Sequence, residues 1–187
     1  GVPLGPWHAQ RDALAEFSGW LSMVTGGLGK LALDVVLMSQ TEVGEVHESA
    51  DSELGGSSAM PQKRNPKLAQ DIIAASAEIR AYVPLALEAM QTEHEADRAT
   101  SLMMDSALVG SCGLMGDMLQ RLIVIFKGLK VFPERMRQNL DLSGGLIMSE
   151  AIMLELGRKI GRQHAHDVVY DAAQASVVEG RSFRDLL

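Results

Sequence analysis

The run Leu14-Ala15-Glu16-Phe17-Ser18-Gly19-Trp20-Leu21-Ser22-Met23-Val24-Thr25-Gly26-Gly27-Leu28-Gly29-Lys30-Leu31-Ala32-Leu33-Asp34-Val35-Val36-Leu37-Met38 decides the fold. Within it Leu14, Phe17, Leu21, Val24, Leu28, Leu31, Val35 and Met38 step by alternating threes and fours, which puts a heptad seam on one face of a helix. The pattern predicts a single helix from about Trp7 to about Val43, roughly 50 Å long. Gly26, Gly27 and Gly29 weaken it by about 1 kcal/mol each relative to alanine, and a close helix contact would account for them.

Two more seams lie downstream. Leu68, Ile72, Ala75, Ile79, Tyr82, Ala86 and Ala89 mark a helix opening at Pro66, which Pro84 should kink. Leu108, Cys112, Met115, Leu119, Leu122, Phe126 and Leu129 mark a third, after the polar stretch Gln91 to Arg98. Three long seams predict an all-α long-helix bundle. Beyond Val131-Phe132-Pro133 the helical segments shorten, to about 133–140, 146–158, 162–179 and a last piece at Ser182, with Gly144-Gly145 and Gly161 between them. The expected organisation is therefore 1–130 as part of a central bundle domain and 131–187 as a small C-terminal helical domain. No β alternation is evident.

Between the first two seams lies Gly55-Gly56-Ser57-Ser58-Ala59-Met60-Pro61-Gln62-Lys63-Arg64-Asn65-Pro66. Asn65-Pro66 reads as an N-cap followed by proline at the first helical position, which would leave unpaired N–H groups facing the loop. Such an end attracts anions. Lys63 adds a positive charge and Asn65 an amide donor, together suiting a substrate carboxylate. Gly55 and Gly56 free the backbone so that the serines can reach a ligand. Ser57 or Ser58 then suits a nucleophile or, if ionised, a base. On composition alone, a Ser/Gly-rich surface loop with a solvated lysine is the plainer reading.

The 187 residues are 47% apolar, enough to build a core, with a formal charge of −7. No basic block is present to neutralise phosphates, which argues against a nucleic-acid partner. The single cysteine, Cys112, excludes an intrachain disulfide and reads as core, as do most of the eleven methionines. No uncharged apolar run reaches the ~18 residues of a spanning segment, and no signal pattern opens the chain. A cytoplasmic protein without a membrane partner is expected. His164 and His166 are two apart on a helix and face different sides, so they read as surface residues rather than a metal pair. No cofactor motif is present, and no metal or other cofactor is expected.

The run G-S-S-x-M-P-x-K-x-N-P at 56–66 resembles the signature loop of the fumarase/aspartase superfamily at every fixed position. Pro6-Trp7-His8-Ala9-Gln10-Arg11-Asp12, Gln40-Thr41-Glu42 with Gly44-Glu45-Val46, Glu93-His94-Glu95 and Asn139-Leu140-Asp141-Leu142 resemble its 3-carboxy-cis,cis-muconate cycloisomerase branch. Val131-Phe132-Pro133-Glu134-Arg135-Met136 and Ser182-Phe183-Arg184-Asp185-Leu186-Leu187 look more like adenylosuccinate lyase. Two positions depart from the pattern. Ala96 to Met104 lacks the tryptophans that follow Glu93-His94-Glu95 in the cycloisomerases, and Gln70 stands where adenylosuccinate lyases and fumarases place a glutamate. Because the signature lies well past the middle in similar proteins, the chain looks like the C-terminal portion of a longer polypeptide.

The resemblance implies a mechanism. A base removes a proton next to a carboxylate, and the resulting aci-carboxylate, held by preorganised donors, expels a group from the neighbouring carbon. By position in the motif, Ser57 matches the catalytic base and Ser58 an adjacent donor, with Met60, Lys63, Arg64 and Asn65 around the substrate. His94 and Gln10 are further candidates for substrate contact, against solvated-turn and capping roles; the same alternatives apply to His8 and Arg11. Family active sites draw on three chains of a homotetramer, so the small polycarboxylate substrate and further copies of the chain are the expected partners. The leading expectation is a cycloisomerase acting on 3-carboxymuconate, which would place it in aromatic catabolism. The alternatives are a C–N lyase releasing fumarate from adenylosuccinate or iminodisuccinate, and a non-catalytic crystallin-like protein.

Overall fold

A computed structural model describes residues 5, 9–48 and 65–187. The chain divides into two compact units, Gly1–Val131 and Phe132–Leu187. The described part of the first unit holds three long helices, α1 (Asp12–Met38), α2 (Lys67–Glu88) and α3 (Arg98–Gly128), and a two-residue antiparallel ribbon of β1 (Val46–His47) with β2 (Lys130–Val131). The ribbon went unforeseen because two residues per strand are too few to alternate. The second unit holds α4 (Pro133–Asp141), a 3₁₀ turn at Leu146–Met148, α5 (Ser149–Ile160), α6 (Arg162–Glu179) and α7 (Phe183–Leu186).

Helix α2 is the shared partner of the first unit, packed along both α1 and α3. Its expected seam holds: Ile72, Ala75, Ile79, Ala86 and Ala89 are buried, and α2 runs on through Pro84 to Glu88. The seams on α1 and α3 are rotated from the expected ones. On α1 the buried residues are Ala15, Ser18, Leu21, Thr25, Ala32 and Val35, whereas Leu14, Phe17 and Leu31 are exposed. On α3, Thr100, Met104, Ala107, Ser111, Met115, Met118, Leu122 and Ile125 are buried, whereas Leu119, Phe126 and Cys112 are exposed. Cys112 is therefore not a core residue of this chain. The methionines divide likewise, with Met104, Met115 and Met118 buried and Met23, Met90 and Met148 exposed.

The rotation follows from close approach. A Cβ on Gly29 would lie 2.7 Å from the Ser76 hydroxyl, and one on Gly110 would lie 2.6 Å from the Tyr82 ring. Small residues thus line the faces that meet α2, and Ser76 Oγ donates to Thr25 O across the α1–α2 contact at 2.7 Å. Among the described residues a Cβ built on Gly26 or Gly27 would meet nothing within 4 Å, so helix contact there accounts for Gly29 alone of the three.

The large apolar residues of α1 and α3 are left facing outward: Trp20 is 52% exposed, Met23 72% and Val109 73%. Both helices are long and apolar enough, by length and composition, to cross a bilayer. Each nevertheless carries ionic pairs, Lys30 with Asp34 on α1 and Arg121 with Asp117 on α3, the latter arginine also reaching Asp71 of α2. Helices that are apolar nearly all round belong in the interior of something larger than three helices.

In the second unit, Val169, Ala172 and Phe183 form a small core with Leu146, Ile152, Met153, Leu156 and Leu186 packed around it. Gly144 and Gly145 adopt the left-handed backbone that their turn requires (φ 58° and 95°), and the Gly144 carbonyl accepts from Phe183 N at 3.0 Å. His164 and His166 are both exposed, and His166 stacks on Tyr170.

Candidate active site

Five of the expected site residues, Ser57, Ser58, Met60, Lys63 and Arg64, lie outside the described residues, as does His8. Asn65, Gln10 and His94 are described, and the structure separates them into two groups.

The first group surrounds the start of α2. After α1 the chain turns through residues 39–45, where Gly44 takes a left-handed backbone (φ 62°) and its N–H donates to Gln40 O at 2.7 Å. The β1–β2 ribbon then delivers Glu48 to the first turn of α2. Leu68 N donates to Glu48 Oε1 at 3.0 Å and Ala69 N to Oε2 at 3.3 Å. This corrects the expected anion seat. The N-cap is Pro66 rather than Asn65, and the N–H groups that were to face a substrate carboxylate are taken by a carboxylate of the chain itself. A remote acid satisfies the orphan donors that Pro66 cannot, and its charge suits the positive helix end. Burial raises the Glu48 carboxyl above its ordinary value; the Ala69 and Leu68 N–H groups oppose that rise, and nearby Asp71 adds to it.

Asn65 remains in play beside that turn. It lines an open cleft of about 550 Å³ together with Val36, Ser39, Gln40, Thr41, Glu42, Pro66 and Gln70. The wall holds three carboxamides, Gln40, Asn65 and Gln70, whose NH₂ groups can donate to carboxylate oxygens without bringing a charge. Ser39 is committed elsewhere, its hydroxyl donating to Val35 O at 2.6 Å. Gln70 thus belongs to the same cleft as the signature asparagine.

The second group lies at the other end of α2. Gln10 and His94 are both exposed there, Gln10 just before α1 and His94 in the turn between α2 and α3. Arg11 is not the surface residue weighed for it, since it is only 7% exposed; it stands at the N-cap position of α1 without a side-chain cap bond of its own there. Its Nη1 donates to Ala89 O at 3.0 Å and its Nη2 to Ser101 Oγ at 2.8 Å. The signal for this was its spacing, since Arg11, just before α1, continues the stripe of Ala15 and Ser18. Asp97 caps α3, accepting from Ala99 N at 2.9 Å and Thr100 N at 3.4 Å. Partial desolvation pushes the Asp97 carboxyl up, but the N–H groups of Thr100, Ala99 and Glu93 and the Thr100 hydroxyl together hold it below its ordinary value.

Twenty-two residues of α2 separate the two groups, a helix length of about 33 Å. No small substrate touches both within one copy of this chain.

A family model described as "Lyase" matches residues 3–81, and one described as "Adenylosuccinate lyase C-terminus" matches residues 145–187. The 3-carboxy-cis,cis-muconate cycloisomerase of Pseudomonas aeruginosa is 41% identical over 186 residues, covering 100% of this chain and 40% of its own length. The solved 3-carboxy-cis,cis-muconate lactonizing enzyme from Pseudomonas putida superposes with a TM-score of 0.86 at 39% identity, over 100% of this chain and 42% of that one. The chain belongs to the fumarase/aspartase superfamily.

Superfamily membership accounts for the helical bundle and for the two family resemblances read from the sequence. Trans-aconitate decarboxylase 1 of Mycosarcoma maydis is 43% identical over 181 residues, 97% of this chain and 37% of that protein. The chain thus spans about two fifths of the length of the curated relatives it matches. Within this superfamily member, sequence reasoning passed over Glu48 and Asp97. Asp97 was legible as an acid three residues before a buried threonine at a helix start, whereas Glu48 acts across twenty residues and left no local sign.

Proposed function

We propose that the protein of which this chain is part is a lyase-type enzyme that removes a proton next to a carboxylate of a small polycarboxylic acid, and that its reaction is the cycloisomerisation of 3-carboxy-cis,cis-muconate. The observation that carries this is the carboxamide-lined cleft around Asn65, the asparagine that closes the stretch matching the superfamily signature. In this reading Ser57 is the base and Ser58 a neighbouring donor. Lys63 with Asn65 stabilises the aci-carboxylate, and Met60 and Arg64 line the substrate. Full-length relatives at about two-fifths identity that bear the cycloisomerase name support the substrate class. The trans-aconitate decarboxylase supports it too, since both named substrates are tricarboxylic acids.

A single chain keeps the Asn65 end and the His94 end about 33 Å apart. It also leaves large apolar residues of α1 and α3 in solvent, including Trp20, Met23, Val109 and Phe126. Both facts fit a homotetramer in which neighbouring copies cover those faces and bring one chain's start of α2 beside another's His94 turn. A cytoplasmic enzyme of aromatic catabolism is the corresponding setting.

The test is turnover by the full-length protein. Loss of diene absorbance from 3-carboxy-cis,cis-muconate without fumarate formation supports the cycloisomerase, and its absence contradicts it. The match of residues 145–187 to the adenylosuccinate lyase C-terminus favours a second reading, a C–N lyase, for which fumarate and amine would appear together. Carbon dioxide released from trans-aconitate would redirect the reading to a decarboxylase.

A further inference from the structure

The mechanism uses no part of Arg11, yet it is among the few buried polar or charged residues described. A guanidinium is not taken out of water without partners that replace its hydration. Among its partners are the ends of two other helices. Ala89 O is one of the last carbonyls of α2, which have no acceptor role inside the helix, and Ser101 is in the first turn of α3. The Ser101 hydroxyl passes the connection on, donating to Asp97 O at 2.7 Å. The Asp97 carboxylate in turn accepts from the Ala99 and Thr100 N–H groups, and the nearby Glu93 N–H helps hold its carboxyl low. Hydrogen bonds therefore run from the start of α1 through Ser101 to the backbone of Asp97, whose carboxylate also feels the N–H of Glu93, the residue next to His94.

We infer that Arg11 is a positioning residue: through Ser101 and Asp97 it sets the turn that carries His94 against the start of α1, where Gln10 precedes it. The inference rests on the proposed function, in which the His94 end completes a neighbouring copy's cleft. Its consequence is that the nine-residue connection between α2 and α3, anchored in the core only by Ala89 at its start, is held further along by hydrogen bonds rather than by packing. Misplacement of a substrate-contacting group by about 1 Å is enough to lower catalytic efficiency by one to two powers of ten.

Ser101→Ala breaks the link to Arg11 without leaving a buried charge alone, and Ser101→Thr keeps the hydroxyl. Both are compared with wild type in the full-length protein at a temperature where circular dichroism finds each fully folded. The inference predicts faster amide exchange at Glu93, Ala99 and Thr100 in Ser101→Ala. It also predicts a KM raised about tenfold with kcat little changed, and recovery of both in Ser101→Thr. Unchanged exchange, or faster exchange with an unchanged KM, overturns it. Should wild type turn over none of the acids tested, the proposed function falls by itself. The exchange result then upholds or overturns the link from Arg11 to the His94 turn.

Discussion

The starts of α2 and α3 solve one problem in two ways. Each presents orphan N–H groups, and each receives a carboxylate that accepts from two of them, Glu48 at α2 and Asp97 at α3. Asp97 is the residue next to its helix, and the several hydrogen-bonding groups around it together outweigh its desolvation, so its carboxyl is held below the ordinary value. Glu48 arrives from the far side of a long connection and is half-buried, so desolvation wins and its carboxyl is raised. The difference teaches that a local cap mainly terminates a helix, whereas a remote one also fastens two parts of the chain together. At α2 those parts are the ribbon and the edge of the carboxamide cleft. At α3, where the cap is local, the fastening falls to Arg11.

That division of labour can be broken at its strongest point first. Arg11→Met keeps most of the side-chain volume but strips Ala89 O and Ser101 of their donor, and should lower unfolding free energy by about 2–3 kcal/mol in urea denaturation. Glu48→Ala removes the remote cap, with an expected loss of about 1 kcal/mol at neutral pH. It should also speed exchange of the Leu68 and Ala69 amides. An effect confined to those amides, with no change in global stability, would mean that Glu48 fastens nothing beyond the first turn of α2.

The subtlest contrast lies in pH. Glu48 has a raised carboxyl, so the folded state holds its proton more tightly than the unfolded state does. The part of its contribution that depends on that proton is fully present at or below the ordinary 4.5 and falls as pH climbs through the raised value, leaving the capping hydrogen bonds of the ionised form. Asp97 has the opposite sign. Its contribution is present above the ordinary 3.8 and is lost as pH drops through the lowered value. Glu48→Gln should therefore flatten the stability profile just above pH 4.5, and Asp97→Asn should flatten it below pH 3.8. Urea midpoints measured from pH 3 to pH 7 decide whether the two slopes oppose each other.

The same contrast between local and remote explains what the sequence disclosed. The helices and the turn glycines at 144–145 rest on interactions within a few residues, and local pattern carries them; the cap at Asp97 is as local, and was passed over although the same kind of pattern held it. The buried faces of α1 and α3 do not. When a helix is apolar nearly all round, more than one stripe satisfies a three-four spacing, and the largest residues drew the seam to Phe17 and Phe126 although Ser18 and Ser111 are the ones buried. The choice between stripes depends on the small residues, such as Gly29 and Gly110, that let α2 come close. At the site, Asn65 and His94 stood out by resemblance, but their separation along α2 is a property of the fold. Glu48 at the helix start could not be anticipated from a pattern that pointed to Asn65 as the cap.

Mixing two inactive variants tests the central claim most directly. Full-length Asn65→Ala and His94→Ala proteins, each assayed alone on 3-carboxy-cis,cis-muconate, should turn over little substrate. Dissociated, mixed in equal amounts and reassembled, they should recover activity approaching about a quarter of the wild-type sites, because random pairing returns both native residues to that fraction of sites built from two copies. A mixture no more active than its components, with wild type treated identically regaining full turnover, would contradict a site assembled from opposite ends of α2 in different chains.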